Sequence, residues 1–272
     1  MNTTVITDTE FTRFQGFIYD AAGITLAPSK KAMVSGRLSK RLQANRLNTY
    51  TEYFALLKSG KAATEVQTAI DLLTTNETYF FRESKHFDLL HKLAATAAAT
   101  PNPNRQPFRV WSAASSTGEE CYSIAMVLAD CLGASAWDVM GSDISARVLQ
   151  RARAGHYPLE RTQHIPPAYL KRFCLKGHGE HEGTLLIERQ LRSRVSFVQV
   201  NLNGDLPQLG NFDVIFLRNV MIYFNAETKQ KVVARVLAHL KPGGYFCIGH
   251  SESLNEISTA VRQVAPSVYC KL

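Results

Sequence analysis

The 272-residue sequence predicts an α/β protein. A small all-helical domain over residues 1–75 precedes a larger domain, 76–272, built on a mainly parallel sheet with a small antiparallel β-subdomain inserted at about 160–194. Three observations predict this. Before residue 75 the apolar residues recur at helical spacing. From Phe108 onward strand and helix signals alternate, as a parallel sheet requires. Between Tyr157 and Arg194 that alternation breaks into prolines, spaced glycines and short apolar runs.

The first helix is expected over Asp8–Ala22, with Phe11, Phe14, Phe17 and Ile18 on one face and Gly23 ending it. Pro28 suits a first helical turn. The helix it opens can turn Met33, Leu38 and Leu42 to a core while Lys30, Arg37 and Arg41 share an outer stripe. Thr49 and Glu52 have the spacing of a capping box ahead of Tyr53, Phe54, Leu56 and Leu57, and Glu65–Leu73 adds Val66, Ile70 and Leu73. These stripes read as core. The segment TTNETYFFRESKHF leads into a helix ending in Ala94–Ala99, and TPNPNRQP is a loop before the first strand.

Residues 109–120, RVWSAASSTGEE, form the strand and tight turn that open a nucleotide-binding unit, followed by the helical run CYSIAMVLADCL. Small residues there let backbone approach a ligand closely. The glycine triplet of a dinucleotide fingerprint is missing, and Glu119 and Glu120 sit where a pyrophosphate would need free N–H groups and no negative neighbour. A cationic or amine-bearing adenosine ligand fits better than NAD. S-adenosylmethionine, with a sulfonium and an ammonium group, is such a ligand.

The second strand, WDVMGSDI, ends near Asp143, an acid placed to accept both hydroxyls of a ribose. Its other reading is a helix N-cap for SARVLQRA, a place Ser145 can fill instead. After the irregular stretch with KGHGEHEG, alternation returns with VSFVQVNL and FDVIFLRN. A helix follows over Ala226–Leu240, capped by Asn225 and ended by KPGG; then come YFCIGHSE and a last strand in VRQVAPSVYCKL, read as part of a hairpin.

Composition narrows the function classes. No apolar run approaches the roughly 20 residues that span a bilayer, and the N-terminus MNTTVITDTE lacks a signal peptide's basic start, so a cytoplasmic protein without membrane insertion is expected. Five cysteines form no close CxxC pair, which points to reduced structural thiols and no metal site. The net charge of +8 is concentrated between Pro28 and Asn48, where Lys30, Lys31, Arg37, Lys40, Arg41 and Arg46 stand without an acid. An acidic partner is expected on that face, although solvated basic helix faces are common.

The runs TTNETYFFR, RVWSAASSTGEECYSIA, GSDIS, LRNVMIYF and LKPGGYFCIGHSE, in this order behind a basic helical domain, closely resemble the chemotaxis receptor glutamate methyltransferases, the CheR family. The resemblance covers nearly the whole chain. It implies an S-adenosylmethionine-dependent methyltransferase (Rossmann-like) sheet of seven strands with a reversed last strand, and S-adenosylhomocysteine as product. The implied substrate is a glutamate side chain on the acidic coiled coil of a chemoreceptor's cytoplasmic domain. Lys30, Lys31, Arg37, Lys40 and Arg41 would then dock beside it. Some family members also hold a receptor C-terminal peptide on the β-subdomain by strand addition, and Gly177, Gly179 and Gly183 resemble the compact loop of those members. Glycines in a turn between strands need no ligand to explain them.

Site roles follow from chemistry and resemblance together. Asp143 is assigned the ribose, and Glu120, before Glu119, the ligand's ammonium; both glutamates would also stabilise a helix N-terminus by roughly 0.3–1 kcal/mol each. Asn201 and Leu202 follow a strand at the adenine edge. Arg218 and Asn219 end the next strand, on the edge where open α/β sheets bind ligands. The resemblance makes Asn76, Thr78 and Arg82 contacts of the methionine part or the reacting centre. Arg82 and Tyr223 are expected to orient the incoming carboxylate without taking its proton, because a glutamate with a reference pKa of about 4.3 is already ionised. Tyr223 reads otherwise as an aromatic wall. Two other classes stand beside this one: a nucleic-acid methyltransferase, which would typically carry an Asn/Asp-Pro-Pro-aromatic loop where this chain has RNVMIYF, and a non-catalytic S-adenosylmethionine or S-adenosylhomocysteine-binding regulator.

Overall fold

The computed structural model describes residues 5–100 and 106–272; most of the loop expected at TPNPNRQP lies outside them. Four helices come first: α1 (Asp8–Ala22), α2 (Lys31–Ala44) behind a 3-10 turn at Pro28–Lys30, α3 (Tyr50–Lys58) and α4 (Ala63–Leu73). Capping boxes at Thr7/Glu10 and Thr49/Glu52 fix the starts of α1 and α3, and Gly23, with φ 71°, ends α1. Phe14 is fully buried and meets Phe54 edge-on at 5.7 Å and Tyr50 at 6.3 Å. The α1 cap also staples two helices: Glu10 accepts from the Thr51 amide at 3.0 Å and hydroxyl at 2.9 Å.

The rest of the chain alternates as expected. Helix α5 (Lys85–Ala99) is followed by β1 (Phe108–Ser112), α6 (Glu119–Leu132), β2 (Trp137–Asp143) and α7 (Ala146–Ala154). Then come β3 (His156–Pro158), α8 (Pro167–Phe173), β4 (Cys174–Lys176), β5 (Thr184–Ile187), α9 (Arg189–Arg192) and β6 (Val195–Gln199). The chain closes with β7 (Phe212–Leu217), α10 (Ala226–Ala238), β8 (Leu240–Ile248), β9 (Val261–Ala265) and β10 (Val268–Lys271).

Seven strands form one sheet in the order β6-β2-β1-β7-β8-β10-β9. The pairs among β6, β2, β1, β7 and β8 are parallel, and β10 runs antiparallel to both neighbours, which is the reversed last strand and its hairpin. Strand order reverses at β1, between β2 and β7, so the crevice at the carboxyl ends of these three strands is the natural ligand position. Trp111 on β1 is fully buried, and its indole N–H donates to Ser142 Oγ on β2 at 2.9 Å, which satisfies the one polar atom the ring carries into the core.

A second, three-stranded antiparallel sheet, β3-β5-β4, starts at His156, a few residues ahead of the expected break at about 160. Helix α10 ends at Ala238, before the Leu240 expected for it. The KPGG segment lies inside β8, where the register against β7 shifts between Phe212 and Val214. A Pro-Gly-Gly run at a strand's start can bulge without losing central ladder bonds, so the helix stop signal and the strand start coincide.

The helical layer docks over the sheet's carboxyl edge. Gln67 on α4 donates to the Ile144 carbonyl at 3.0 Å, the Arg147 guanidinium donates to the Asp71 carbonyl at 3.0 Å, and the Thr25 amide donates to the Tyr223 carbonyl at 2.8 Å. These bonds close a cleft between helices and strand ends.

Candidate functional site

The cleft encloses about 850 Å³, part of it open to solvent. Its wall brings together Asn76, Thr78, Arg82, Glu120, Asp143, Asn201, Leu202, Arg218, Asn219 and Tyr223 from five separate parts of the chain. Glu119 is not among them.

The turn after β1 is built for close approach. Gly118 has φ 94°, and a Cβ there would stand 2.9 Å from Ala152 Cβ and 3.0 Å from the Tyr157 hydroxyl, so any side chain would push α7 or β3 away. Ser116, also left-handed at φ 48°, points its amide at Asp143 Oδ2, 2.9 Å away. Asp143 Oδ1 accepts from the Ser145 amide at 2.9 Å. The cap of α7 is the Ser145 side chain, so Asp143 is free of that duty. Burial pushes the Asp143 carboxyl up to about 6, against the pull of the two amides.

Glu120 occupies the opposite wall. Its Oε1 accepts from Ser112 Oγ at 2.7 Å and its Oε2 lies 2.9 Å from Arg218. Arg218 is almost wholly enclosed, with 1% of its side chain exposed; it also pairs with Glu83 at 3.0 Å and donates to the Arg82 carbonyl. Burial pushes the proton affinity of Glu120 upward, opposed chiefly by Arg218. Burial acts in the same sense on Glu83, but Arg218 and the His250 amide outweigh it and hold that carboxyl below the usual range. The expected ligand contact Arg218 is thus a clamp on two carboxylates.

Arg82, half-buried, donates to the Glu77 carbonyl at 3.1 Å and stands 5.7 Å over the Tyr79 ring, with no ion pair among the described residues. Tyr223 ends a 3-10 turn, Met221–Tyr223, directly after β7's loop. Asn201 lines the cleft and has partners within the protein as well. Its side-chain amide donates to the Ala21 carbonyl at 2.7 Å and its oxygen accepts from the Asn203 amide at 3.0 Å, so it ties the helical layer to the β6 turn. Each of its polar side-chain atoms has one partner within the protein, which leaves a second N–H and a second lone pair, beside the backbone at Asn201 and Leu202, for a base.

Both domains match one family. Residues 9–74 match the model described as "CheR methyltransferase, all-alpha domain" and residues 76–270 match "CheR methyltransferase, SAM binding domain". The chain is 41% identical over 267 residues to the "Chemotaxis protein methyltransferase" of Escherichia coli (strain K12), covering 97% of this chain and 91% of that one. It is 43% identical over 263 residues to "Chemotaxis protein methyltransferase 2" of Pseudomonas aeruginosa, covering 96% and 92%. The chain belongs to the CheR methyltransferase family.

The cofactor of this CheR-family chain is S-adenosylmethionine. The cleft fits it chemically: the buried carboxylate of Asp143 suits ribose hydroxyls, the carboxylate of Glu120 suits an ammonium, and Val200 and Leu202 give an apolar seat at the base end. Glu119 is the correction among the cofactor residues. It is fully buried, bonded to Thr117 Oγ1 at 2.6 Å and paired with Arg161 of the insert at 2.7 Å, so it faces the β3 side of α6 and not the cleft. Adjacent helix positions point about 100° apart, and only one of the two glutamates can face the ligand.

The basic helix α2 is less free than its composition suggested. Arg41 forms a bidentate pair with Glu65, at 2.8 and 2.6 Å, and Arg37 donates to the Leu72 and Thr74 carbonyls at 3.0 and 2.9 Å. Lys31 pairs with exposed Asp8 at 2.7 Å. Lys30 and Lys40 are exposed and carry no ion pair among the described residues. Two arginines of the expected docking stripe therefore hold α2 to α4.

The sequence reading missed Glu83, Ser112, Ser116 and Arg161, whose signal in the sequence is only adjacency to Arg82, to the opening turn or to the insert. Glu83, His86 and His250 bring ligand-type atoms within 4.8 Å of one another. The Glu83 carboxylate there is already held by Arg218, and buried His86, pushed down to about 4 by burial and by Arg218, bonds Ser267 Oγ through Nε2 at 2.9 Å. This is a structural network around a guanidinium, which disfavours a second cation. Among the described residues no helix is long and apolar enough to cross a membrane.

Proposed function

We propose that this chain methylates glutamate side-chain carboxylates on the cytoplasmic domains of bacterial chemoreceptors, forming glutamate methyl esters. The observation that carries this reading is the presence of half-buried Arg82 and Tyr223 in the wall of the same cleft as Asp143 and Glu120. A guanidinium and a phenol are donors suited to an anionic acceptor. The cleft's two acids already accept hydrogen bonds from Ser112, Arg218, Ser116 and Ser145 and keep lone pairs for the cofactor, and a carboxylate acceptor asks no base of them.

S-adenosylmethionine supplies an electrophilic methyl group on a sulfonium. Everything else falls to the chain's own residues. Asp143 and Glu120 bind its two polar ends, Arg218 keeps Glu120 in place, and Arg82 with the Tyr223 hydroxyl orients the incoming carboxylate. Because the reaction joins an anion to a cation and discharges both, two aligned donors serve better than a tight anion site, which would hold the ground state back.

Exposed Lys30 and Lys40 suit the approach of an acidic helical receptor. Strand β4 is an edge of the small sheet with Leu175 and Lys176 exposed, which supports addition of a receptor C-terminal peptide there. The reading is tested by offering methyl-labelled S-adenosylmethionine with a panel of receptor cytoplasmic fragments and, separately, RNA. Label on a receptor fragment supports it; label on RNA alone refutes it.

A further inference from the structure

The motif GHSE, at the end of β8, supplies none of the side chains assigned to the cleft, yet its glutamate holds the segment that does. Glu252 lies outside the cleft wall, behind the loop after β7. Its Oε2 accepts from the Asn219 amide at 2.9 Å and from the Gly249 amide at 2.7 Å, and its Oε1 accepts from the Ile222 amide at 3.3 Å. One side chain thus caps the second residue of the loop and the middle of the turn Met221–Tyr223.

That loop needs holding. Asn219 sits in the left-handed region at φ 57°, a conformation that asparagine tolerates better than other residues with a Cβ but that still needs local hydrogen bonds to be the single one adopted. The Asn219 side chain donates to Glu83 Oε1 at 3.3 Å, which anchors the other side. Gly249 is part of the same fit: a Cβ there would stand 2.5 Å from Asn219 Nδ2 and 2.9 Å from Glu252 Oε2. The carboxylate fills the space and hydrogen-bond demand left between the two strand ends.

We infer that Glu252 is a positioning residue for Tyr223, setting the phenol at the cleft through the Asn219 and Ile222 amides. The inference rests on the orienting role of Tyr223 proposed above. A carboxylate is required and not merely a polar group. With three amides donating to two oxygens, an amide side chain in its place would present an NH2 group to at least one backbone N–H, releasing either Asn219 or the turn.

The test is a double-mutant cycle with Glu252→Gln and Tyr223→Phe in the full chain, using a receptor cytoplasmic fragment that the wild type methylates. Rates are expressed per S-adenosylhomocysteine-binding site titrated by calorimetry, so loss of folded protein drops out. Misplacement of about an ångström predicts that Glu252→Gln lowers kcat roughly 10- to 100-fold. Affinity for S-adenosylhomocysteine should stay within about threefold, and the double variant should be no slower than the slower single. Multiplicative effects of the two substitutions, or a fall in kcat matched by the fall in product affinity, would overturn the inference. A silent Glu252→Gln beside an impaired Tyr223→Phe overturns it and leaves the role of Tyr223 standing; a silent Tyr223→Phe overturns that role and with it the route from Glu252.

Discussion

Arg218 and Glu120 form a largely buried ion pair at 2.9 Å in the wall of the cleft, and the same guanidinium holds Glu83 from the other side at 3.0 Å. Removing the cation leaves two enclosed carboxylates facing each other. Breaking one partner of such a buried pair costs about 3–5 kcal/mol. Arg218→Met should therefore lower the denaturation midpoint and weaken S-adenosylhomocysteine binding together, because Glu120 protonates or turns away. A chemical denaturation curve and a calorimetric titration check the two effects, and loss of affinity without loss of stability would make Arg218 a direct ligand contact instead.

Asp143 gives the cleft a pH dependence. With ribose hydroxyls as its proposed partners the ionised form binds best, while burial sets its proton loss at about 6 in the free protein. Affinity for S-adenosylhomocysteine should thus fall by up to about tenfold per pH unit on going below 6 and level off above it. The free protein responds in the opposite sense: its carboxyl, raised from 3.8, contributes stability at low pH that is lost as pH rises through about 6. Asp143→Asn should bind more weakly and flatten the profile, measured by titration at several pH values.

Adjacent Glu119 and Glu120 should separate cleanly. Glu120→Gln removes the anion in the cleft and should weaken product binding by roughly tenfold or more, the worth of a charge-assisted hydrogen bond. Glu119→Gln should leave that affinity within a few-fold, since Glu119 faces Arg161 and Thr117. Arg161→Met should destabilise by stranding the fully buried Glu119, and adding Glu119→Gln to it should restore much of the loss. Melting curves of the singles and the double decide it.

Receptor docking is expected to run through the unpaired lysines. Lys30→Glu with Lys40→Glu should raise the receptor KM several-fold and flatten its salt dependence, with the KM for S-adenosylmethionine nearly unchanged. Arg41→Glu is a different experiment: it places a like charge against Glu65 and should lower stability first. An unchanged receptor KM in the lysine pair would remove α2 from the docking surface.

Most of the fold was legible because it is written in local chemistry. The capping box at Thr49, Gly23, Asn225 and Ser145 are signals that a helix end carries in its own residues; the box at Thr7 and Glu10 is of the same kind and went unread. The cleft was legible for another reason. Asp143, Glu120 and Arg218 all stand at strand or helix ends on the carboxyl edge, where the topology alone gathers them. What escaped was pairing between distant segments. Whether Arg41 faces a receptor or Glu65, that the Asn201 amide also ties to the Ala21 carbonyl, and which of two neighbouring glutamates turns inward depend on what packs opposite. Glu252 escaped for the same reason, since its three partners are backbone amides that no side-chain pattern marks.

The central claim is the chemistry of the product. A receptor fragment methylated by this chain with labelled S-adenosylmethionine, then treated with mild base, should release its label as volatile methanol, as a carboxylate methyl ester does. Peptide mapping should place the lost methyl on glutamate. Label that survives base on the protein, as an N-methyl group would, contradicts the account.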